Sequence, residues 1–537
     1  MGADLQRPAE PATDAVRFVD VAAEVGLDFT HSAFHWGTTG DTPAMMGSGL
    51  CWIDQDDDGW LDLFVVNTWS DGEWGQWRGS GALPTTHLYH NDHGRFVDVT
   101  EATGAGIETR ANGCVAADLD LDGHTDLYVT SDRANVMLWN DGDRFEIDDS
   151  SSGLDASGWH TGAAVGDIDG NGWPDLFVAG YADLNGRIPG ETGGFPAPYM
   201  AEPDLLFLSD GPGEDGHVTF REAASAVGIE SDGARHGLGA VLSDVDGDGD
   251  LDLYVANDTD PNSLYLSSPT HAWPGIRLDD HGPALGVDDD QAGMGVAIAD
   301  YDTDGRPDIV VTNLGQQGHA AYRNTTGSSG PGFVDALAGM GQPDLGVGTT
   351  GWGVSWADVD LDTDLDLLLV NGAIPVRDLT ADRQAVLGYA NQTADGERGR
   401  LDDVSAIWGL ASVGPYLGRG SAMADYDNDG DLDLAIATVG SKLALLRNTG
   451  AGGHWLEVAP PAPTPGAAVT VTLSDGQELR RELLAGSSYL SSEDPRAHFG
   501  LGTEDRVREV TVTWPDGSRT SRADIAADQI LELAPGD

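Results

Sequence analysis

Seven acidic loops punctuate the chain, following the pattern Asp-x-Asp-x-Asp/Asn-Gly-x-x-Asp and each leading into Leu or Ile and a β-branched or aromatic run. They begin at Asp54, Asp118, Asp167, Asp244, Asp300, Asp358 and Asp425, spaced 49 to 77 residues apart. A period of that length means a repeat architecture in which each unit buries its apolar face against its neighbours. Each loop offers oxygen ligands at relative positions 1, 3, 5 and 9, with a turn-permitting Gly at 6, and a hard cation such as Ca²⁺ takes 6–8 such oxygens. The candidate ligands are Asp54, Asp56, Asp58 and Asp62, then Asp118, Asp120, Asp122 and Asp126, then Asp167, Asp169, Asn171 and Asp175. The later loops contribute Asp244, Asp246, Asp248 and Asp252, then Asp300, Asp302, Asp304 and Asp308, then Asp358, Asp360, Asp362 and Asp366, and last Asp425, Asp427, Asp429 and Asp433. The sixth loop departs from the pattern, with Thr363 where the Gly belongs. Its site is expected to be weaker or empty, whereas Asn171 in the third lowers the charge and keeps an oxygen.

The flanks of the loops are periodic too. A Gly stands five residues ahead of every first Asp, at Gly49, Gly113, Gly162, Gly239, Gly295, Gly353 and Gly420, as expected where strands crowd around an axis. Runs such as Leu61–Val66 and Leu251–Ala256 read as buried second strands. Third strands follow at Leu88-Tyr89-His90-Asn91 and Ala321-Tyr322-Arg323-Asn324, and fourth strands at Phe96-Val97-Asp98-Val99 and Phe333-Val334-Asp335-Ala336. Four short strands per repeat predict an all-β fold, a seven-bladed propeller. The seventh repeat lacks a fourth strand, and one of that type, Phe18-Val19-Asp20-Val21, stands near the N-terminus. The ring is therefore expected to close by that strand joining the last blade, which removes the open sheet edges. The expected organisation is a tail at 1–15, a propeller at 16–452 and a small β-rich domain at 453–537, entered through the Pro-rich stretch 460–466. In that last region Ala468–Leu473, Leu479–Leu484, Val507–Trp514 and Gln529–Leu533 read as strands, with Asp475-Gly476 and Asp516-Gly517 as hairpin turns.

The chain has 537 residues, 40% of them apolar, and a formal net charge of −63. One Ca²⁺ in each of seven loops adds 7 × 2 = 14 charges and leaves −49, a surface that argues against nucleic acid or an anionic membrane as partner. No run approaches the ~20 apolar residues of a membrane helix. The opening Met-Gly-Ala-Asp-Leu-Gln-Arg-Pro lacks the regions of a signal peptide, which suits a cytoplasmic chain or one without its leader. Cys51 and Cys114 are the two cysteines; they are read as separate buried hydrophobes, with no disulfide framework. Asn324-Thr325-Thr326 and Asn391-Gln392-Thr393 fit a glycosylation sequon.

The loops, with their preceding Gly and following Asp-Leu, resemble the FG-GAP/VCBS repeats of integrin α-subunit propellers, in which such loops bind Ca²⁺. The tail Gly486-Ser487-Ser488-Tyr489-Leu490-Ser491-Ser492, Asp494-Pro495-Arg496 and His498-Phe499-Gly500-Leu501-Gly502, followed by Val512 to Gly517, resembles an ASPIC/UnbV domain. Together these features resemble the cartilage acidic protein 1 family, nearly end to end. The resemblance implies an adhesion or binding module, with relatives that are commonly secreted. It also leaves room for an enzyme of natural-product biosynthesis, a cyclase or isomerase.

Calcium in such loops ties the first strand of a blade to the second and is expected to be scaffold, so function is sought at the central mouth. Ahead of the inner Gly positions stand Met46, Arg110, Trp159 with His160, Arg235 with His236, Trp352 and Arg419, and His31, His35 and Trp36 precede the first repeat. His160, His236, Arg110 and Trp159 are the candidate catalytic residues, as imidazole, guanidinium and indole bind substrate and move protons. Two aromatic-rich insertions, Trp69–Arg78 and Tyr181–Pro203, are expected near the same face. The expected partner is a small molecule, glycan or protein at the mouth, bound by a monomer. Tyr489, Asp494, Arg496 and His498 are read as a fold-holding cluster, with Asp494 and Arg496 salt-bridged across a turn. No phosphate loop, nucleophile elbow, zinc spacing or dinucleotide fingerprint stands out.

Overall fold

The computed structural model describes residues 16–213, 216–271, 273–392, 399–450, 452–462 and 464–537; the tail 1–15, Pro463 and Thr393 lie outside them. Seven four-stranded antiparallel sheets follow one another along the chain. In the first, Leu50–Ile53, Asp62–Val65, His87–Asn91 and Phe96–Asp98 pair in chain order, with the acidic loop joining the first two. Each innermost strand packs on that of the next blade, through Ala111–Ala117, His160–Gly166, Gly237–Ser243, Val296–Ala299, Gly351–Ala357 and Gly418–Ala424, which returns to Leu50–Ile53. The last sheet takes Phe18–Asp20 as its outer strand, with Phe18 opposite Asn448 and Asp20 opposite Leu446. The ring is thus sealed by the N-terminal strand, and blade edges are left only at the rim.

Apolar layers fill the space between neighbouring sheets. One holds Leu50, Trp52, Leu63 and Val65 of blade one against Ala422, Ala435 and Leu445 of blade seven. The inner Gly residues permit the approach: a Cβ on Gly295 would lie 2.0 Å from the Trp352 carbonyl oxygen of the next blade. Cys51 and Cys114 form a disulfide, with Cα atoms 6.2 Å apart, which corrects their reading as separate hydrophobes. They sit on facing inner strands of blades one and two, a proximity created by the packing of consecutive blades and invisible in a spacing of 63 residues. No helix among the described residues is long and apolar enough to cross a membrane.

Beyond the ring, His454–Ala459 lies between Ala497–Gly502 and Gln529–Glu532, and a second sheet runs Glu478–Glu482, Ala468–Thr472, Arg506–Thr513, Arg519–Ala526. Leu456, Val469, Val471, Phe499 and Val510 form their shared core. The two Asp-Gly turns join antiparallel strands, with Gly476 at φ 95 and Gly517 at φ 77.

From this region one segment enters the ring. Residues 485–494 run up the central channel as a hairpin and return, turning at Ser488-Tyr489-Leu490, where Ser488 and Leu490 take φ of 58 and 56. Its backbone completes inner strands that would otherwise face an open channel. The Val165 amide donates to the Ala485 carbonyl (3.0 Å), and Val296 and Ser488 exchange two bonds (2.8 and 2.9 Å). Trp52 donates to Ser492 (3.1 Å), Ser492 to Leu50 (3.1 Å) and Asp494 to Met423 (3.0 Å). A Cβ on Gly49 would fall 2.0 Å from the Leu490 carbonyl oxygen, so the inner Gly makes room for this plug as well as for neighbouring blades.

Candidate functional site

The acidic loops share one geometry. In every blade a carboxylate oxygen of the first Asp accepts the N–H of loop position 6, from Gly59 to Asp54 (2.9 Å) through to Gly430 to Asp425 (2.7 Å). One oxygen of the last Asp accepts an N–H from the third strand, as Asn91 to Asp62 and Asn324 to Asp308, both 2.7 Å. Positions 4 and 6 have positive φ in all seven, with Leu121 and Leu361 held at 56 and 59 and Thr363 at 88. Thr363 still donates to Asp358 (3.0 Å), so the sixth loop keeps its turn at the expense of left-handed backbone on a β-branched residue.

The loops converge carboxylates. Donor atoms of Asp54, Asp56 and Asp58 lie within 4.8 Å of one another, as do those of Asp118, Asp120 and Asp122, of Asp167, Asp169 and Asp175, and of Asp244, Asp246 and Asp248. Burial pushes the last Asp of each loop upward, and neighbouring loop carboxylates add to it: Asp62 to about 7, Asp252 to about 8 and Asp308 to about 9. Asp126, Asp175, Asp366 and Asp433 lie well above the usual carboxylate range for the same reasons. Oδ1 of Asp302 and Oδ1 of Asp360, both at position 3, are buried without a hydrogen-bond partner. A converging, oxygen-only, buried set with orphaned carboxylate oxygens fits a hard divalent cation. His90, which the oxygen pattern leaves out, places Nδ1 3.2 Å from Asp62 and 3.6 Å from Asp56.

Asparagines at the ends of the third strands staple blades together on this face. The Asn91 side chain donates to Leu61 of its own blade (3.0 Å) and to Tyr426 of blade seven (2.8 Å). Asn140, Asn324, Asn391 and Asn448 reach Gln55, Val245, Tyr301 and Val359 in the same way. The sequon residues Asn324 and Asn391 are thus fully buried staples.

The C-terminal region covers the loops of the later blades. Arg496 pairs with Asp494 (2.7 Å) and Glu457 (3.1 Å) and donates to the Asp425 carbonyl (2.9 Å), while His498 Nε2 meets the Gly430 carbonyl (2.9 Å). These residues therefore hold the C-terminal region to the seventh loop, and Tyr489 belongs to the plug.

At the opposite, mouth end lies a cavity of about 430 Å³. The helix Thr42–Met46 lays Met45 and Met46 over it, Leu238, Met294 and Trp352 rise from blades four to six, and Ile374-Pro375 and Phe195 complete the wall. Tyr489, the plug tip, packs edge-on against Trp352 with ring centres 4.8 Å apart and donates to the Met46 carbonyl (3.3 Å), and so supports the cavity wall from below. Two polar side chains face the cavity together: Tyr181, from the start of the blade-three insertion, donates to Asp258 Oδ2 at 2.6 Å. Burial raises Asp258 to about 6, against the hydrogen bond from Tyr181 and the charge of His236.

The candidate catalytic residues fall around this cavity and not in its wall. Trp159 packs edge-on against Tyr181 at 4.7 Å. His160 is buried, its Nδ1 3.1 Å from the Asn135 amide, and burial lowers it to about 4. The His236 ring stands 6.0 Å from that of Tyr181, with Nδ1 2.7 Å from Asp260. Arg110 gathers Asp41 (2.9 Å), Asp71 (2.7 Å) and Asp132 (3.0 Å), an ionic hub that anchors the Thr42–Met46 helix through its cap residue. Arg419 stacks over Trp352 at 4.0 Å and donates to the Met45, Gly418 and Ala373 carbonyls; burial brings it down to about 9. Arg235 turns away to Asp280, Asp232 and Ser263. His31 is buried, with Gly440 donating to its Nδ1. His35 and Trp36 pack on Trp77 of the first insertion, with ring centres 4.7 to 4.9 Å apart. Sequence reading missed Asp258 as a site residue; it directly follows the second strand of blade four, Asp252–Asn257.

Comparison with known proteins agrees with this architecture. Residues 54–129, 118–178 and 244–311 match the FG-GAP-like repeat, and residues 459–537 match ASPIC and UnbV. Cartilage acidic protein 1 of Mus musculus is 29% identical over 455 residues, covering 79% of this chain and 64% of that protein; the Homo sapiens protein is 29% identical over 454, covering 79% and 63%. The chain thus spans less than two thirds of the length of these curated relatives. A solved structure of an Agrocybe aegerita lectin, described as recognising non-reducing terminal N-acetylglucosamine, is similar with TM-score 0.39 and 16% identity over 66% of this chain and 79% of that one. The chain is therefore built of FG-GAP repeats followed by an ASPIC/UnbV domain, and it has homologues in cartilage acidic protein 1.

Proposed function

We propose that this protein is a calcium-stabilised propeller that binds a small ligand with an apolar body at its central mouth. The observation that carries the reading is the cavity of about 430 Å³, concave and largely apolar with one convergent polar pair, the form that small-molecule sites take. Its size and depth favour a small molecule over a protein or glycan surface. Calcium would be held by positions 1, 3, 5 and 9 of each loop. When bound it supplies the positive charge that the buried carboxylates lack, and binding energy then becomes folding energy. A catalytic mouth has less support, since neither His160 nor His236 lines the cavity.

The test is a ligand screen by thermal shift and tryptophan fluorescence on wild type and Leu238→Trp, a substitution that fills the cavity from its wall. Hits that stabilise wild type and lose binding in Leu238→Trp support the reading. Hits that bind both equally place recognition elsewhere and defeat it.

A further inference from the structure

We propose that the mouth cavity takes a ligand whose apolar body carries a cationic amine, and that Asp258, held by Tyr181, is its anchor. This deepens the reading of the mouth as a small-molecule site and rests on it.

Among the residues lining the cavity, Asp258 is the one charged side chain. Its Oδ2 accepts the Tyr181 hydroxyl at 2.6 Å, an interaction that supplies a dipole but no compensating charge. The nearest basic groups are engaged elsewhere. His236 Nδ1 meets Asp260 at 2.7 Å, and Arg419 lies behind Trp352 with its N–H groups on backbone carbonyls. A desolvated carboxylate without a counterion in direct contact is costly, and a cation entering the cavity removes that cost while a neutral or anionic group does not. The remaining wall suits the same guest. Tyr181 and Phe195, with ring centres 5.8 Å apart, present aromatic surface to the cavity, which attracts ammonium groups. Met45, Met46 and Met294 offer polarisable, adaptable contact to an apolar body. The field of the whole chain acts in the same direction: a formal charge of −63, or −63 + 14 = −49 with seven divalent ions, concentrates cations at the surface and repels anions.

The experiment uses three probes of one shape: 2-naphthylmethylammonium, the neutral 2-naphthylmethanol and the anionic 2-naphthoate. Binding to calcium-saturated protein is measured by calorimetry at pH 7.5 and about 0.5 M salt, where the long-range field is screened and a buried contact is not. Wild type is expected to prefer the ammonium to the alcohol by on the order of tenfold to a hundredfold and to bind the naphthoate least. Asp258→Asn, which keeps an acceptor for Tyr181, is expected to lose that preference and still bind the alcohol. Tyr181→Phe keeps the carboxylate and is expected to keep the preference, which guards against a misfolded Asp258 variant. Equal binding of ammonium and alcohol by wild type, a preference that survives Asp258→Asn, or one lost in Tyr181→Phe overturns the cation assignment and leaves the cavity reading intact. Binding of none of the probes overturns both.

Discussion

On the loop face the same two bonds, from loop position 6 to the first Asp and from the third strand to the last Asp, recur in all seven blades. At the mouth the residue directly ahead of the inner Gly is Ser48, Asn112, Thr161, Leu238, Met294, Trp352 or Arg419, different in every blade. Blades one to three put small polar groups there, and blades four to seven put the large side chains that wall or back the cavity. Repetition is what a scaffold needs, because each unit meets the same neighbour. Recognition needs the repetition broken, and here the breaks come from side chains at one backbone position, two insertions and a plug from outside the ring.

The sharpest way to separate the faces is to remove the metal. A site saturated a thousandfold contributes about 4 kcal/mol of stability, and several sites act together. Chelation is therefore expected to lower the unfolding temperature more than any single substitution, while the mouth binds its ligand unchanged once calcium is restored. Melting that is indifferent to chelator would remove calcium from the loops.

Next in size is the point where the two faces meet. Tyr489 is fully buried at the end of a segment that begins beside the loops and ends beneath the cavity. Tyr489→Ala should destabilise by about 3–5 kcal/mol, the range for deleting a core aromatic, and should weaken ligand binding in the same variant. Denaturant unfolding checks the first expectation and probe binding the second. A loss under about 1 kcal/mol would mean that the plug is a passenger.

How far each face could be read from sequence follows from the same contrast. The loops, the inner Gly residues and the N-terminal closure are local patterns repeated seven times, and each appears in the structure at the expected residues. Left-handed backbone at position 4 was not legible, because Asp57, Leu121, Gly170 and Asn428 share no chemistry that announces it. The Cys51–Cys114 disulfide depends on two blades becoming neighbours. The plug was hidden for a related reason: residues 485–494 have no partner pattern of their own, since their bonds go to the inner strands of six blades. Asp258 and Tyr181, 77 residues apart, meet through ring curvature alone.

A pH measurement probes the plug from its loop-face end. Burial pushes Glu493 from 4.5 up to about 7. The folded state therefore holds a proton between those values that the unfolded state has lost, so stability falls as pH rises through the window. Relative to Glu493→Gln, the wild type should lose roughly 3 kcal/mol between pH 4.5 and 7, measured by denaturant unfolding with calcium saturating so that the loop carboxylates do not titrate. Parallel curves for the two proteins would show that Glu493 is solvated in the folded state.

The smallest effect tests whether the seven loops are equivalent. Thr363 occupies the loop-Gly position with φ of 88, where a β-branched residue is strained. Its N–H nonetheless donates to Asp358 at 3.0 Å as the glycines do in the other six loops. Thr363→Gly relieves the strain but gives the unfolded chain more freedom, so the net gain should be about 1 kcal/mol. If strain is what sets this loop apart, the same substitution should tighten calcium binding at the sixth site and leave the other sites unchanged, as titration calorimetry would resolve. A gain in stability without a change in calcium binding would separate the backbone strain from the metal, and would mean that the sixth loop is held by the C-terminal region packed over it: a Cβ on Gly500 would lie 2.2 Å from Asp358 Oδ2.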